Sequence, residues 1–191
     1  MKKAIPAALA LIAIALAATG TAEAQQKRGK RSGAQVASYA PDLGFTDGRL
    51  EKADRVVVNK RQRQLLVLRG ERVLDAFTIA LGRYPVGHKL AEGDQRTPEG
   101  AYTLDSKLAD SKFYRAIHIS YPSSGDVRRS RFLGLRPGGA IMIHGLPDGW
   151  SASSVGHPVL DWTNGCIAVT NREMDRLWAR IDAGTPIEIH P

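Results

Sequence analysis

The sequence is poor in cysteine, because Cys166 is the only one in 191 residues. A single thiol cannot form an internal disulfide, so no disulfide framework is expected to support the fold. Zinc sites take three or four Cys, His or carboxylate ligands at recognisable spacings. One cysteine and five scattered histidines do not supply that pattern, and we expect neither a metal site nor a cofactor. Cys166 is therefore a small buried hydrophobe, an intermolecular linker or a reactive group.

Long apolar runs are also lacking. The only extended one, Ala4 to Ala18, follows a short basic start and precedes Thr21-Ala22-Glu23-Ala24, which has the small-x-small pattern of a cleavage site. This arrangement predicts a secretory signal peptide over residues 1–24, too short in its apolar part to span a membrane. No cysteine follows the run, which argues against a lipid anchor. We expect an exported, periplasmic protein that does not span the membrane after cleavage.

Acidic residues are outnumbered, with 19 Asp and Glu against 27 Lys and Arg and a net charge of +8. Outside the cytoplasm such a charge favours an anionic cell envelope as partner rather than nucleic acid. Residues 25–50 are polar and basic and predict a flexible leader, with Lys27, Arg28, Lys30 and Arg31 available to anionic surfaces. Residues 51–191 are long enough for one domain.

The folded part is predicted to consist mainly of β-strands. Short β-branched or aliphatic runs occur at residues 56–58, 64–68, 72–81, 100–104, 115–121, 140–144 and 186–189. Such runs, with Arg69-Gly70-Glu71 as a hairpin turn, are typical of strands. Residues 82–100 hold four glycines and two prolines and predict a long loop, which is often a functional feature.

One helix is predicted near the C-terminus. Thr170 and Glu173 have the spacing of a capping box, and Met174, Leu177, Trp178 and Ile181 then fall on one helical face before Gly184 ends the helix. The expected architecture is a mainly β domain, a sandwich or flattened barrel, with this helix packed on it.

Cys166 lies in a glycine-containing turn just before that helix. A thiol with an ordinary pKa of about 8.5 is mostly protonated at neutral pH, and a neighbouring imidazolium or helix N-terminus can lower this pKa. Gly165 leaves room for a substrate carbonyl, and amides near Gly165 and Cys166 could stabilise an oxyanion. A reactive Cys166 therefore needs a histidine partner.

His144 is the best of the five candidate bases. It ends the apolar strand "AIMIH" and precedes Gly145, so a rigid element would position its ring, and a backbone carbonyl near Gly145 could hold the second ring nitrogen. His118 sits in a strand and either faces a cleft or has a structural role. His88 lies in the long loop, His157 precedes a proline, and His190 is almost terminal.

The residues around these two positions resemble a known family. "IHG" at residues 143–145 followed by "TNGCIAVTN" at 163–171 is similar to the active-site motif of the L,D-transpeptidase (YkuD-type) catalytic domain. "EGDQRTPEGAYTL" at 92–104 resembles its Thr-Pro-x-Gly-x-aromatic element, and Gly138 to Gly145 agrees as well. Within that family, the sequence is most similar to murein transpeptidases, some of which act as hydrolases.

The resemblance implies an enzyme that acts on peptidoglycan stem peptides. Cys166 would attack the carbonyl of the third stem residue and release the terminal D-Ala, while His144 would take the thiol proton. The acceptor amine would come from another stem or from a lysine of an envelope lipoprotein. Many members have Ser-His-Gly-Cys and a nearby arginine, whereas this chain has Asn164 before Gly165 and Ala168 after the cysteine.

Two other functions stay open at this point. The same two residues would serve a cysteine amidase or carboxypeptidase that uses water, and a basic wall-binding module would leave the thiol inert. For an enzyme, the stem carboxylates need cationic partners. Arg83, Lys89 and Arg96 in the long loop, with His118, are the predicted substrate-binding residues.

Overall fold

The structure, a computed structural model, describes residues 45–46 and 49–191. The predicted signal peptide and most of the predicted leader lie outside these residues. A small antiparallel pair, β1 (Phe45–Thr46) and β2 (Arg49–Leu50), forms the end of the predicted leader. Among the described residues, no helix is both long and apolar enough to cross a membrane.

One eight-stranded sheet makes up the body of the domain. Its strands are β3 (Arg55–Asn59), β4 (Gln64–Arg69), β5 (Arg72–Thr78), β6 (Gly100–Ser111), β7 (Tyr114–Ile119), β8 (Met142–His144), β9 (Ile167–Ala168) and β10 (Thr185–His190). Their order is β5-β4-β3-β10-β6-β7-β8-β9. Most neighbours are antiparallel, and the pairs β3–β10 and β8–β9 are parallel. The predicted mainly β fold class is thus confirmed.

The two edges of this sheet meet behind β5. Ala80 and Ala168 exchange two backbone hydrogen bonds of 2.8 and 3.0 Å, and Gly82 pairs with Thr163. The chain just after β5 therefore lies against β9 at the far edge and curls the sheet towards a barrel. The predicted strand over 72–81 consequently ends at Thr78 as part of β5, and its last residues make this closing contact.

The core lies inside the curl and is filled by alternate residues of the strands. In β3 and β10 the buried positions are Val56, Val58, Ile187 and Ile189, each no more than 2% exposed. This alternation is the period of two that one buried face of a sheet requires. Packing of this kind also fixes the register of β8 and β9. His144 ends β8, and Cys166 directly precedes β9.

Helix α3 (Asn171–Arg180) covers the core, as predicted. Its cap is the predicted box, in which the Thr170 hydroxyl accepts from the Glu173 amide and the Glu173 carboxylate accepts from the Thr170 amide. The helix ends at Arg180, earlier than predicted from Gly184. Ile181 is extended, because Lys107 donates to the carbonyls of Trp178 and Ile181 and so replaces a further turn.

Two further helices were not predicted. Helix α1 (Ser124–Phe132) is polar and has only Asp126 and Ser130 buried, so it has no apolar stripe for periodicity to detect. Its one signal is a capping box, since the Ser123 hydroxyl and the Asp126 carboxylate each accept a hydrogen bond from the other residue's amide. Helix α2 (Ala152–Val155) is a single turn.

Candidate active site

Register brings His144 and Cys166 to the same face of the sheet. His144 on β8 pairs with Ala168 on β9, and Cys166, just before β9, is opposite Met142 in the same register. Alternate residues of a strand point to one face, so His144 and Cys166 share it. They are therefore diagonal neighbours across one strand pair. A hydrogen bond from the Met142 amide to the Cys166 sulfur agrees with this register.

The Cys166 turn is held by the hydroxyl of Thr163. This hydroxyl donates to the Cys166 carbonyl at 2.8 Å and accepts from the Gly165 amide at 3.1 Å. The Thr163 amide in turn donates to the Leu81 carbonyl. The turn is therefore tied to the closing segment after β5 and cannot move independently of the sheet.

Glycines allow the long loop to lie directly against this turn. A Cβ on Gly82 would meet the Gln95 carbonyl oxygen at 2.1 Å and the Gly165 Cα at 2.9 Å. Gly165 has a φ of +123°, and a Cβ there would meet the Arg96 carbonyl oxygen at 2.7 Å. The expected room for a substrate carbonyl beside Gly165 is thus occupied by the loop backbone. Close backbone packing is the reason for glycine at both positions.

A cleft of about 330 Å³ opens onto Cys166. Its walls come from residues 89–95 of the long loop and residues 138–141 before β8, together with Asn164 and Cys166. The sulfur donates to the Ala140 carbonyl at 3.7 Å. The first wall belongs to the long loop that the sequence predicts to be functional. The second lies within the Gly138 to Gly145 motif, and its backbone reaches Cys166 only through the sheet register.

The ring of His144 is packed between aromatic side chains. It is 4% exposed, and its centroid lies 4.5 Å from that of Phe113 and 5.7 Å from that of Trp162. Its Nδ1 is 2.7 Å from the Gly145 carbonyl oxygen, the kind of acceptor that the sequence predicts. With Nδ1 donating to that carbonyl, Nε2 is the nitrogen that can accept a proton. Sequence reasoning missed both aromatic neighbours, although Trp162 directly precedes the motif at residues 163–171.

Gly145 takes part through its carbonyl and not through its amide. The amide donates to the Phe113 and Arg115 carbonyls at 3.1 and 3.2 Å. It cannot also serve an oxyanion. A Cβ at this position would meet Oδ1 of Asn171 at 2.6 Å, and that oxygen accepts from the Leu146 amide. Glycine is needed here because the N-terminus of α3 packs closely against the end of β8.

Burial keeps both candidate groups neutral. Desolvation lowers the pKa of His144 to about 4, against a partly compensating hydrogen bond to the Gly145 carbonyl. Desolvation raises the pKa of the Cys166 thiol above its ordinary range, while the Met142 amide and the charge of Lys89 act in the opposite direction. The expected imidazolium that would lower the thiol pKa is therefore absent from this resting state, because an ion pair would have to form out of water.

The four predicted substrate-binding residues do not lie together. Lys89 lines the cleft, but its ammonium donates to Asp94 and to the Ala91 carbonyl. Arg83 is exposed and donates to the Asn164 side chain at 2.9 Å. The Asn164 amide group is thus oriented by an arginine at the cleft edge.

Arg96 and His118 are placed elsewhere. A guanidinium nitrogen of Arg96 lies against Gly87, and Arg96 does not line the cleft. Nδ1 of His118 is 2.7 Å from the Asp105 carboxylate on the neighbouring strand. In this structure the two side chains therefore contact other parts of the domain, Gly87 and Asp105. Within residues 45–46 and 49–191 there is no cluster of His, Cys, Asp or Glu that could hold a metal ion.

We expect acid to destabilise the fold through His144. Its pKa of about 4 in the folded state lies below the ordinary 6.5, so the unfolded chain binds the proton first as pH falls. The contribution of the neutral His144 ring to the free energy of unfolding is fully present above pH 6.5. It is lost as the pH falls from about 6.5 to 4. From pH 7 to pH 5 the free energy of unfolding should fall by about 2 kcal/mol through this group.

Urea unfolding of wild type and His144→Gln at both pH values measures this effect. The difference between pH 7 and pH 5 should shrink by about 2 kcal/mol in the variant. Burial also lowers the pKa of nearby His157, which adds in the same direction, so His157→Gln is the matched comparison. An unchanged pH dependence in His144→Gln would contradict a buried neutral imidazole.

Comparison with known proteins agrees with the architecture. Residues 53–189 match the family of L,D-transpeptidase catalytic domains, YkuD. "Putative L,D-transpeptidase YqjB" of Bacillus subtilis (strain 168) is 30% identical over 135 residues, which are 70% of this chain and 69% of that protein. "Putative L,D-transpeptidase YafK" of Escherichia coli (strain K12) is 30% identical over 128 residues, which are 65% of this chain and 44% of that protein.

A solved structure is similar as well. A mutant form of the helical cell shape determining protein Pgp2 from Campylobacter jejuni superimposes with a TM-score of 0.56 and 28% identity, over 77% of this chain. The match covers 49% of that protein, so this chain spans about half its length. On the match over residues 53–189, the chain belongs to the YkuD family of L,D-transpeptidase catalytic domains.

Proposed function

We propose that this protein is a cysteine-dependent peptidoglycan L,D-transpeptidase of the periplasm. In the acylation step the Cys166 sulfur attacks the carbonyl of the third residue of a stem peptide. A thioester forms, the bond to the terminal D-Ala breaks, and His144 transfers the thiol proton to the leaving amine. In the second step an acceptor amine attacks the thioester and gives its proton to His144, and the thiol is restored.

The observation that carries this proposal is the shared face of β8 and β9. His144 at the end of β8 and Cys166 just before β9 lie on the same face, with the imidazole held at Nδ1 by the Gly145 carbonyl and the sulfur at a cleft. A base needs such a second contact to keep its other nitrogen free for the proton. A wall-binding module would not need the imidazole to be oriented in this way.

The neutral resting state determines how the base acts. The pKa of His144 is lowered to about 4 and that of Cys166 is raised, both through desolvation. The proton therefore moves while the sulfur attacks, in general-base catalysis, and no preformed thiolate is needed. A thiol suits this arrangement because it is far more acidic than an alcohol.

We assign the oxyanion donor to the backbone amide of Cys166. The Gly165 amide already donates to Thr163, and the Gly145 amide donates to the carbonyls of β7 and its preceding turn. Asn164 would orient the acyl group from the cleft edge, since Arg83 fixes its side-chain oxygen and leaves the NH₂ group as donor. Stem carboxylates would bind near Arg83 and Lys89.

Transfer and hydrolysis share the first step and differ in the acceptor. An amine from a second stem gives a 3→3 cross-link, and an amine from a lipoprotein lysine attaches that protein to the wall. Water in the same position makes the protein a carboxypeptidase or amidase.

Incubation with purified sacculi tests the proposal. We expect D-Ala release from tetrapeptide stems, with new 3→3 cross-links or incorporation of an added D-amino acid, all detected by muropeptide analysis. Acylated Cys166 should appear by mass spectrometry as a stem peptide adduct. Released peptide without new links would assign the protein to the hydrolases. A muropeptide profile identical to that of untreated sacculi, with no adduct, would contradict both enzymes.

A further inference from the structure

Large apolar side chains project into solvent at the end of α1. Phe132 is 90% exposed, Leu133 48% and Leu135 41%, all within four positions of the chain. Scattered exposed apolar residues are normal on a protein surface, whereas a group of neighbouring ones is typical of a site that binds a protein or a membrane. We call residues 128–136 the α1 tip.

The α1 tip is also strongly basic. It contains Arg128, Arg129, Arg131 and Arg136, all exposed. Asp126, the acidic residue nearest to it on α1, is buried and accepts hydrogen bonds from Ser123 and Tyr102. Among the ion pairs of the described residues, one involves these arginines. It joins Arg136 to Glu92 at 3.3 Å, and the two side chains are 89% and 64% exposed. Such a surface pair is weak and exchanges easily.

The backbone beneath this surface is firmly held. The buried hydroxyl of Ser130 donates to the Leu90 carbonyl at 2.7 Å, and the Ser130 carbonyl accepts from the amides of Leu133 and Leu135. Gly134, with a φ of +70°, donates to the Arg131 carbonyl. The side chain of Ser130 thus faces the domain, while Phe132 and the two leucines face solvent. The exposure of Phe132 and the leucines follows from this fixed geometry.

We propose that the α1 tip docks the protein on an anionic phospholipid bilayer. Arginines flank the apolar side chains, as in segments that lie at the membrane interface, and anionic headgroups complement them. A protruding Phe132 suits a deformable lipid surface, whereas a protein partner would require a matching pocket. Residues 138–141, which follow directly, form one wall of the Cys166 cleft. Docking would therefore hold that cleft near the membrane.

Vesicle co-sedimentation tests the docking. Vesicles of phosphatidylethanolamine and phosphatidylglycerol are compared with pure phosphatidylcholine, using the protein without its predicted signal peptide. We expect at least tenfold weaker binding to the anionic vesicles for Phe132→Ser with Leu135→Ser, and about fivefold weaker binding for Arg131→Gln. Val86→Ser, at an equally exposed position far along the chain, should bind like wild type.

A single-thiol label measures insertion directly. Because Cys166 is the only cysteine, C166A with F132C carries one thiol for an environment-sensitive dye, and C166A with V86C is the matched control. The dye at position 132 should shift to the blue on anionic vesicles, and the dye at 86 should not. Equal binding of all variants to the anionic vesicles would overturn the proposal, and so would the absence of a spectral shift for the dye at position 132. It would also be overturned if the α1 tip bound a second copy of the protein, so that Phe132→Ser abolished self-association without changing lipid binding. Neither measurement depends on catalysis.

Discussion

Cys166→Ser is expected to reduce turnover on peptidoglycan stems by roughly 10⁴-fold or more. The reason lies in the base as much as in the nucleophile. An imidazole whose pKa is lowered to about 4 is a weak base, and it cannot remove the proton of an alcohol at a useful rate. The rate of D-Ala release and the mass of the acyl adduct measure the effect.

The Cys166→Ser variant should keep its fold, since a serine hydroxyl can take the place of the sulfur in its contacts with the Ala140 carbonyl and the Met142 amide. Its thermal midpoint should lie within about 2 °C of wild type, equivalent to a change of under about 1 kcal/mol. A folded serine variant that still turns over at more than a few per cent of the wild-type rate would remove the proposed chemistry from Cys166.

Asp75→Asn is expected to destabilise the fold by about 3–5 kcal/mol. Asp75 on β5 is 1% exposed and contacts Arg176 and Arg180 of α3, and Arg180 is itself 1% exposed. The amide has the shape of the carboxylate but lacks its charge. The buried Arg180 guanidinium would then lose the charge of the Asp75 carboxylate. Urea unfolding at pH 7 measures the loss.

Asp182→Asn provides the matched control for this ion pair. Asp182 pairs with Lys52 at 2.7 Å, with side chains 63% and 46% exposed. Solvent screens such a pair, and its loss should change the free energy of unfolding by less than about 1 kcal/mol. Equal effects of the two substitutions would show that the Asp75 cluster contributes no more than a surface pair.

Local signals in the sequence predicted much of the fold. The capping box at Thr170, the β-branched run of β3 and the apolar run of β8 each depend on residues close together in the chain. Helix α1 was missed because its surface is polar on nearly every side. Its capping box at Ser123 was the one feature that could have revealed it.

Contacts between residues far apart in the chain could not be predicted from the sequence. Nothing near Gly82 indicates that its Cα must lie beside Gly165, and nothing near Arg96 indicates that its guanidinium turns towards Gly87. The pKa directions at His144 and Cys166 were also unpredictable, because they depend on how much of the domain covers each group. The motif predicts which side chains react, whereas the burial of those side chains determines their protonation state.

The contact between Ala80 and Ala168 has a further consequence for specificity. β9 has only two residues, yet its backbone pairs with β8 on one side and with the chain after β5 on the other. In the proposed reaction, Cys166 therefore cannot follow a bulky or unusual stem peptide by a shift of its backbone. Adaptation to different stems would then come from the two walls of the cleft, residues 89–95 and 138–141, while His144 and Cys166 keep their spacing.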